Sequence, residues 1–369
     1  MKIAQITSNY QPTGLEFRKG INSHVAWLTE GLVKRGHDVH LFASSDSETT
    51  GTLHSVSEAL VKRELPEDLQ RYFMHLNVSR AYEYAKNNDI DLIHTHFNLL
   101  TSTLYPRLSD VPTLISVHLP VDQRIREFAD FFKNERYVSF SLAQRKQAPE
   151  LNWYANIYHG VDMNLFTFNP EPEDYLLYIG RITEDKGVHL AIEAAKAAGM
   201  PLRIAGTSYH AEGYWQKYIE PNVDGVQVQY LGEASFEAKI ELYRNAKAVL
   251  FPTQVSEVFG YVMIESMACG TPVIGFNNGS VPEIIQEGVS GFVVENVEEM
   301  TAAIGKIDQI DRVKVRKRAE IYFSIEKMIS GYEKVYKRLI EETGFHTLKK
   351  NQRKLKESVD KLVKKSGTA

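Results

Sequence analysis

Two glutamates eight residues apart, Glu257 and Glu265, stand in a stretch that reads Ser-Glu-Val-Phe-Gly-Tyr-Val-Met-Ile-Glu-Ser-Met-Ala-Cys-Gly from Ser256 to Gly270. It follows an apolar strand-like run and opens a helix at about Gly260. The first amides of a helix have no partner inside it and lie at the positive end of its dipole, which makes an anion site suited to a pyrophosphate. Glu257 precedes that helix and Glu265 lies more than a turn inside it, so the two carboxylates are not a hydrogen-bonded pair. They are placed for two ends of one elongated ligand. Carboxylates accept hydrogen bonds from vicinal diols, and a nucleotide-sugar carries diols on both sides of a charged linker. Two cations, Arg181 and Lys186, occur where another apolar run exits into a helix, in Gly180-Arg181-Ile182-Thr183-Glu184-Asp185-Lys186-Gly187. Cations there can neutralise a leaving diphosphate. Basic charge near a helix start is unfavourable without an anion. The competing reading for both pairs is a solvated surface.

Histidines form a second set. Leu92-Ile93 leads into His94-Thr95-His96, and Thr113 to Val117 leads into His118. In an open parallel sheet the exits of strands are where ligands bind, which makes His118 a site candidate and His96 a candidate for an acceptor cleft. His94 and His96 share one face of a strand, but a metal needs three or four ligands. No further ligand can be placed beside them from the sequence, and no metal is expected to be required. Asp89-Ile90-Asp91 precedes its strand and reads as a solvated entrance.

The elements that must hold these residues alternate. Ile3 to Thr7 reads as strand, Asn22 to Lys34 as helix with Val25, Leu28, Leu32 and Val33 at helical spacing and Gly36 as its stop, and Val39 to Ala43 as strand. A second alternating unit starts with the strand Tyr175 to Ile179 and the helix Gly187 to Ala198. Its strands continue at Leu202 to Ala205, Val226 to Tyr230, Ala248 to Phe251, Pro272 to Ile274 and Gly291 to Val294. This pattern is α/β with two doubly wound, Rossmann-like sheets facing a central cleft. The expected division is 1–165, then 166–322 after a proline-containing linker at Phe166 to Pro172, a helix in 323–345 crossing back to the first domain, and a tail at 346–369. Tyr158-His159-Gly160-Val161-Asp162 reads as hinge.

The 369 residues suit two domains. One cysteine, Cys269, excludes an internal disulfide, and a cytoplasmic setting fits. The start turns polar by Thr7, unlike a signal peptide, and no run of about 18 apolar residues occurs. Net charge is −4, yet the tail at 346–369 holds eight Lys/Arg against two acids. The acidic remainder argues against nucleic-acid binding. In the tail, Leu348, Leu355, Leu362 and Val363 fall near one helical stripe among lysines. Two readings stay open, a solvated terminal helix and peripheral contact with an anionic membrane.

With Glu257 and Glu265 go Ala268-Cys269-Gly270-Thr271-Pro272-Val273, Gly279-Ser280-Val281-Pro282-Glu283 and Gly288-Val289-Ser290-Gly291-Phe292. Together they resemble the retaining GT-B glycosyltransferases of family 4. Gly180 to Gly187 is similar to that family's GR-x4-KG pattern, Gly36-His37-Asp38-Val39 to its RGHxV turn, and His118 to the histidine of its T-x-H-G motif, with Leu119 in place of glycine. The resemblance implies that Arg181 and Lys186 stabilise the leaving diphosphate and that Glu257 contacts the transferred sugar. It implies that Glu265 holds the ribose, that backbone amides at Phe259, Gly260, Tyr261 and Val262 hold sugar and phosphate, and that His118 lies over the sugar. Of the family's Gly-Gly pair only Gly20 remains, beside Lys19. The donor would be a UDP-, GDP- or ADP-sugar, with no cofactor required. The base, the acceptor and the oligomeric state are not legible. A catalytically silent sugar-nucleotide binder is the alternative. A nicotinamide oxidoreductase fits less well, since no Gly-x-Gly-x-x-Gly turn follows either first strand.

Overall fold

The computed structural model describes residues 1–15, 20–96, 99–122, 126–127, 129–208 and 213–344. Lys19 and the basic tail, on which readings above depend, lie outside the described residues.

The first sheet has seven strands: β1 Lys2–Ile6, β2 Asp38–Phe42, β3 Thr52–His54, β4 Leu92–Thr95, β5 Thr113–Ser116, β6 Tyr137–Ser139 and β7 Trp153–Asn156. They run parallel in the order β3-β2-β1-β4-β5-β6-β7. Ile3 pairs with Val39 on one side and Leu92 on the other. Strands buried on both faces need continuous apolar runs, and β4 and β5 are buried throughout. The helices are α1 Gly20–Lys34, α2 Glu67–Asn87, α3 Leu99–Leu104, α4 Ala129–Phe132 and α5 Leu142–Gln147.

The second sheet has β8 Leu176–Ile179, β9 Leu202–Ala205, β10 Val228–Tyr230, β11 Ala248–Phe251, β12 Val273–Phe276 and β13 Gly291–Val294, parallel in the order β10-β9-β8-β11-β12-β13. Around it lie α6 Val188–Ala197, α7 Phe236–Asn245, α8 Tyr261–Ala268, α9 Val281–Ile284, α10 Val297–Ile304 and α11 Arg312–Tyr322. β10 starts two residues later than the sequence suggests. The Asp224 carboxylate accepts the amides of Val226, Gln227 and Val228 at 2.8–2.9 Å, which folds that stretch into a turn.

The last helix, α12 Ile325–Thr343, packs on the first domain. Its buried residues Ile325, Met328, Ile329, Tyr332, Val335, Tyr336, Leu339 and Ile340 follow a helical stripe, and Ser324 caps its start by accepting the Lys327 amide. They share a core with Ile3, Leu28, Leu32 and Leu92. The chain thus passes between the domains twice, and the passages are hydrogen-bonded to each other: the Val161 amide donates to Phe323 O at 2.9 Å and the Ile325 amide to Val161 O at 3.2 Å. Arg316 fastens the same junction, donating to the carbonyls of Met163, Phe166 and Ala268. No helix among the described residues is long and apolar enough to cross a membrane.

Candidate active site

Both sheets reverse their strand order at one point, between β1 and β4 in the first and between β8 and β11 in the second. Such switch points open a crevice beyond the strand ends.

In the second domain that crevice holds the charged residues. β8 ends before Gly180-Arg181, with Arg181 exposed and Lys186 and Glu257 partly buried. Lys186 Nζ donates to Glu257 Oε2 at 2.6 Å, so the structure pairs a cation and a carboxylate that lie 71 residues apart. The hydroxyls of Thr183 and Thr253, buried on the same two exits, have no hydrogen-bond partner in the protein. Such groups are costly to bury unpaired, which makes them candidates to bind a polar ligand.

Glu257 is held through its backbone. At Gly279 (φ +55°) an added Cβ would lie 2.4 Å from both the amide nitrogen and the carbonyl oxygen of Glu257. Only glycine lets that loop approach so closely. The next residue, Ser280, donates its amide to Glu257 O at 3.0 Å and its hydroxyl to Phe259 O at 2.8 Å. α8 then starts after Gly260, which caps it at φ +86° in the left-handed region. Its first turn contains no acidic residue, so its unpaired amides meet no negative side chain of their own helix. Phe259 is buried, its ring packed on Tyr158, His159, Tyr261 and Phe323, which leaves its backbone as the part a ligand can use. Tyr261 and Val262 are half-buried.

Glu265 is clamped by two groups that sequence reasoning missed. Lys239 Nζ donates to Oε1 at 2.7 Å and the Tyr243 hydroxyl to Oε2 at 3.0 Å. Burial, and then the neighbouring Glu265 carboxylate, raise the Tyr243 pKa well above its usual value, so it remains a donor. Lys239 and Tyr243 are four residues apart on α7 and so share a face. Only the fold brings that face to Glu265.

Across the junction lie five histidines in one group, four of them buried and His118 half-buried: His24, His94, His96, His118 and His159. His94 is a residue within β4 and not, as the sequence suggested, at its exit. His96 begins the exit, and its Nδ1 lies 3.0 Å from His118 Nε2. His96 Nε2 lies 2.9 Å from Gln5 Oε1 and His24 Nε2 lies 3.2 Å from the Tyr332 hydroxyl. His94 bridges Tyr336 and Ser116, at 2.6 and 2.8 Å. Burial holds the pKa of His24 down to about 3 and those of the other four well below the ordinary 6.5, so all five rings are neutral at neutral pH.

The expectation that nothing further could be placed beside His94 and His96 is therefore corrected. Ring nitrogens of His24, His96 and His118 lie within 4.8 Å of one another. His24 comes from α1, where its spacing of four from Leu28 on the buried stripe was the available signal. His159, read from sequence as hinge alone, stacks 3.9 Å from the Phe140 ring and 4.6 Å from Tyr261, the first residue of α8. It joins the histidine group to the start of the charged crevice. Gly20, the first residue of α1, is exposed with φ +57°.

A direct bond also crosses between the domains. The Glu283 carboxylate accepts the amides of Leu142 and Ala143 at 2.8 and 2.6 Å and the Tyr158 hydroxyl at 3.1 Å.

Comparison with known proteins agrees with this architecture. Residues 166–321 match the family model for glycosyl transferases group 1, and residues 18–169 match that for glycosyltransferase family 4. The chain is 35% identical to the N-acetyl-alpha-D-glucosaminyl L-malate synthase of Bacillus anthracis, over 84% of this chain and 91% of that protein. Among solved structures, sucrose-phosphate synthase from Thermosynechococcus elongatus superposes with a TM-score of 0.74 at 21% identity, covering 92% of this chain and 99% of that one. Anabaena HepE in complex with UDP and glucose gives 0.69 at 17%, covering 92% and 100%. The fold is GT-B, two Rossmann-like domains with parallel sheets.

Proposed function

We propose that this chain, which belongs to the group 1, family 4 glycosyltransferases, is a retaining enzyme that draws its sugar from a nucleotide-sugar held by the second domain. The observation that carries this reading is the Lys186–Glu257 pair at 2.6 Å, set between the β8 and β11 exits beside the start of α8. It supports the reading because it brings together a cation able to meet a diphosphate and a carboxylate able to accept from sugar hydroxyls. Arg181 and Lys186 offset the negative charge that grows on the leaving diphosphate, the unpaired amides from Gly260 to Val262 receive the phosphates, and Glu265 accepts from the ribose diol. Gly180 and Gly20 border the donor, the latter from the first domain. His118, at the β5 exit, orients the sugar, while His96, expected from the sequence to border the acceptor cleft, is buried with both ring nitrogens engaged and supports the His118 ring instead.

Retention follows from attack on the face that the leaving group vacates, with the departing phosphate taking the acceptor proton. The protein contributes position and electrostatic stabilisation. HepE has been seen with UDP and glucose, and the Bacillus anthracis relative is named for an N-acetylglucosaminyl product on L-malate. UDP-N-acetylglucosamine with L-malate is accordingly the first donor and acceptor to try, followed by GDP- and ADP-sugars and other hydroxylated acceptors.

Lys186→Ala and Glu257→Ala are each expected to lower transfer by about a hundredfold or more, the scale for losing one charge-stabilising contact. Steady-state kinetics on folded variants measure this, and near-normal rates in both would remove the donor-site assignment.

A further inference from the structure

We propose that His24, His96 and His118 form a binding site for one divalent transition-metal ion of the zinc class, and that an ion held there blocks sugar transfer. The ring centroids make a nearly equilateral triangle, with His24–His96 at 5.4 Å, His24–His118 at 5.1 Å and His96–His118 at 5.3 Å. Metal–nitrogen bonds of 2.0–2.1 Å in a tetrahedral arrangement set imidazole centres about 5 Å apart, which is the spacing of these rings, and their ring nitrogens, within 4.8 Å of one another, draw inward on binding. They are tilted to one another by 41° to 73° rather than stacked.

The surrounding bonds fix how the rings are presented. Gln5 Nε2 donates to the Tyr336 hydroxyl at 3.0 Å, which turns Oε1 toward His96. An amide oxygen only accepts, so the His96 proton sits on Nε2 and its Nδ1 lone pair faces His118. Tyr332 holds His24 at Nε2, which leaves Nδ1 as the ligating nitrogen, and the ion displaces the 2.9 Å contact that this atom makes with His159 Nδ1. Ligating histidines are held in this way, with the second nitrogen bonded to a carbonyl or hydroxyl. Without a metal, the close His96–His118 contact requires a proton between two nitrogens. A metal ion takes that proton's place once His118 carries its own on Nδ1, and no proton need leave the protein. Three imidazoles with no carboxylate among them select zinc, cobalt, nickel or copper over magnesium or calcium. His118 is the most exposed of the three, so the ion enters from the crevice side and its remaining coordination position faces that way. The inhibitory half of the proposal rests on the reading above that His118 orients the transferred sugar. An ion on that ring prevents it from doing so.

The test uses the full chain, stripped with a chelator and titrated with cobalt(II) alone. One equivalent is expected, with the intense visible absorption of a tetrahedral cobalt site that zinc then abolishes. His96→Gln and His118→Gln, checked for folding by circular dichroism, should each weaken binding at least tenfold. His54→Gln, in a separate histidine pair with His40, should not. The Gln5→Leu variant keeps all three ligands and is expected to bind about tenfold more weakly. Absence of stoichiometric binding, or equal binding in the ligand variants, overturns the site. Binding without loss of nucleotide-sugar turnover overturns the inhibition. Turnover absent from the metal-free wild type would count against the proposed function and leaves the cobalt readout intact.

Discussion

The ion pair between Lys186 and Glu257 and the clamp on Glu265 share a design. Each carboxylate expected to meet a hydroxylated part of the donor is already oriented by a lysine, at 2.6 and 2.7 Å. For Glu265 the partner is not itself expected to touch the sugar. With side chains only 21% and 12% exposed, Lys239 and Glu265 are shielded enough for their bond to count. Removing one member of such a pair leaves a partly buried carboxylate supported by Tyr243 alone. Losing a hydrogen bond to a charged group costs about 1.5–3 kcal/mol, or roughly ten- to a hundredfold in an equilibrium. Lys239→Met should therefore raise the donor KM by roughly that factor and leave kcat within about twofold, with Lys239→Arg restoring part of the loss. An unchanged KM would show that Glu265 needs no such support.

At the scale of elements, the last helix unites the two domains, because it belongs to the second by sequence and to the first by packing. At Gly31 of α1 the two helices meet closely enough that an added Cβ would lie 2.0 Å from Ile329 Cδ1. Glycine is needed there for space, since Gly31 is not among the positive-φ residues. Overpacking of this kind costs about 1–3 kcal/mol. Gly31→Ala should lower stability to urea by that amount, and Gly31→Ala combined with Ile329→Ala should recover part of it. A single variant as stable as wild type would mean that the Ile329 side chain turns aside without cost. Glu283 serves a related end from the other side, since its carboxylate sits on the amides that open α5. It is a contact that domain opening must break.

At the scale of the molecule, five neutral histidines packed in one group tie stability to pH. Their folded pKa values lie below the ordinary 6.5. Below about pH 6.5 the unfolded chain therefore binds more protons than the folded one. The stability they contribute is complete above that pH and is lost as pH falls through it, with a slope approaching about 1.4 kcal/mol per histidine per pH unit. Urea unfolding at a series of pH values should show a plateau near pH 7–8 and a steep fall toward pH 5. A flat profile would mean that the five rings titrate in the fold as they do in the unfolded chain.

Most of the architecture was legible in the residues, because buried parallel strands advertise themselves as apolar runs, as Leu176 to Ile179 and Ala248 to Phe251 do. α2 was not, since its 21 residues bury only Asn77, Val78, Ala81, Tyr82 and Ala85 and carry little apolar periodicity. The residues of the second-domain crevice could be named from spacing within a few local motifs. The pairing of Lys186 with Glu257 and the clamp from α7 could not, because they join elements that only the sheet order makes neighbours. His24 and His159 were hidden for the same reason: each belongs to a different element, and the triangle exists only once α1, β4 and β5 are assembled.

In the proposed reaction a donor held in the second domain gives up its sugar with retention. Proton NMR of a reaction started with an α-linked nucleotide-sugar reads this directly from the coupling constant of the anomeric proton. The expected first-formed product has the α configuration of the donor. A first-formed β product, or no turnover of any nucleotide-sugar by the folded chain, would contradict it.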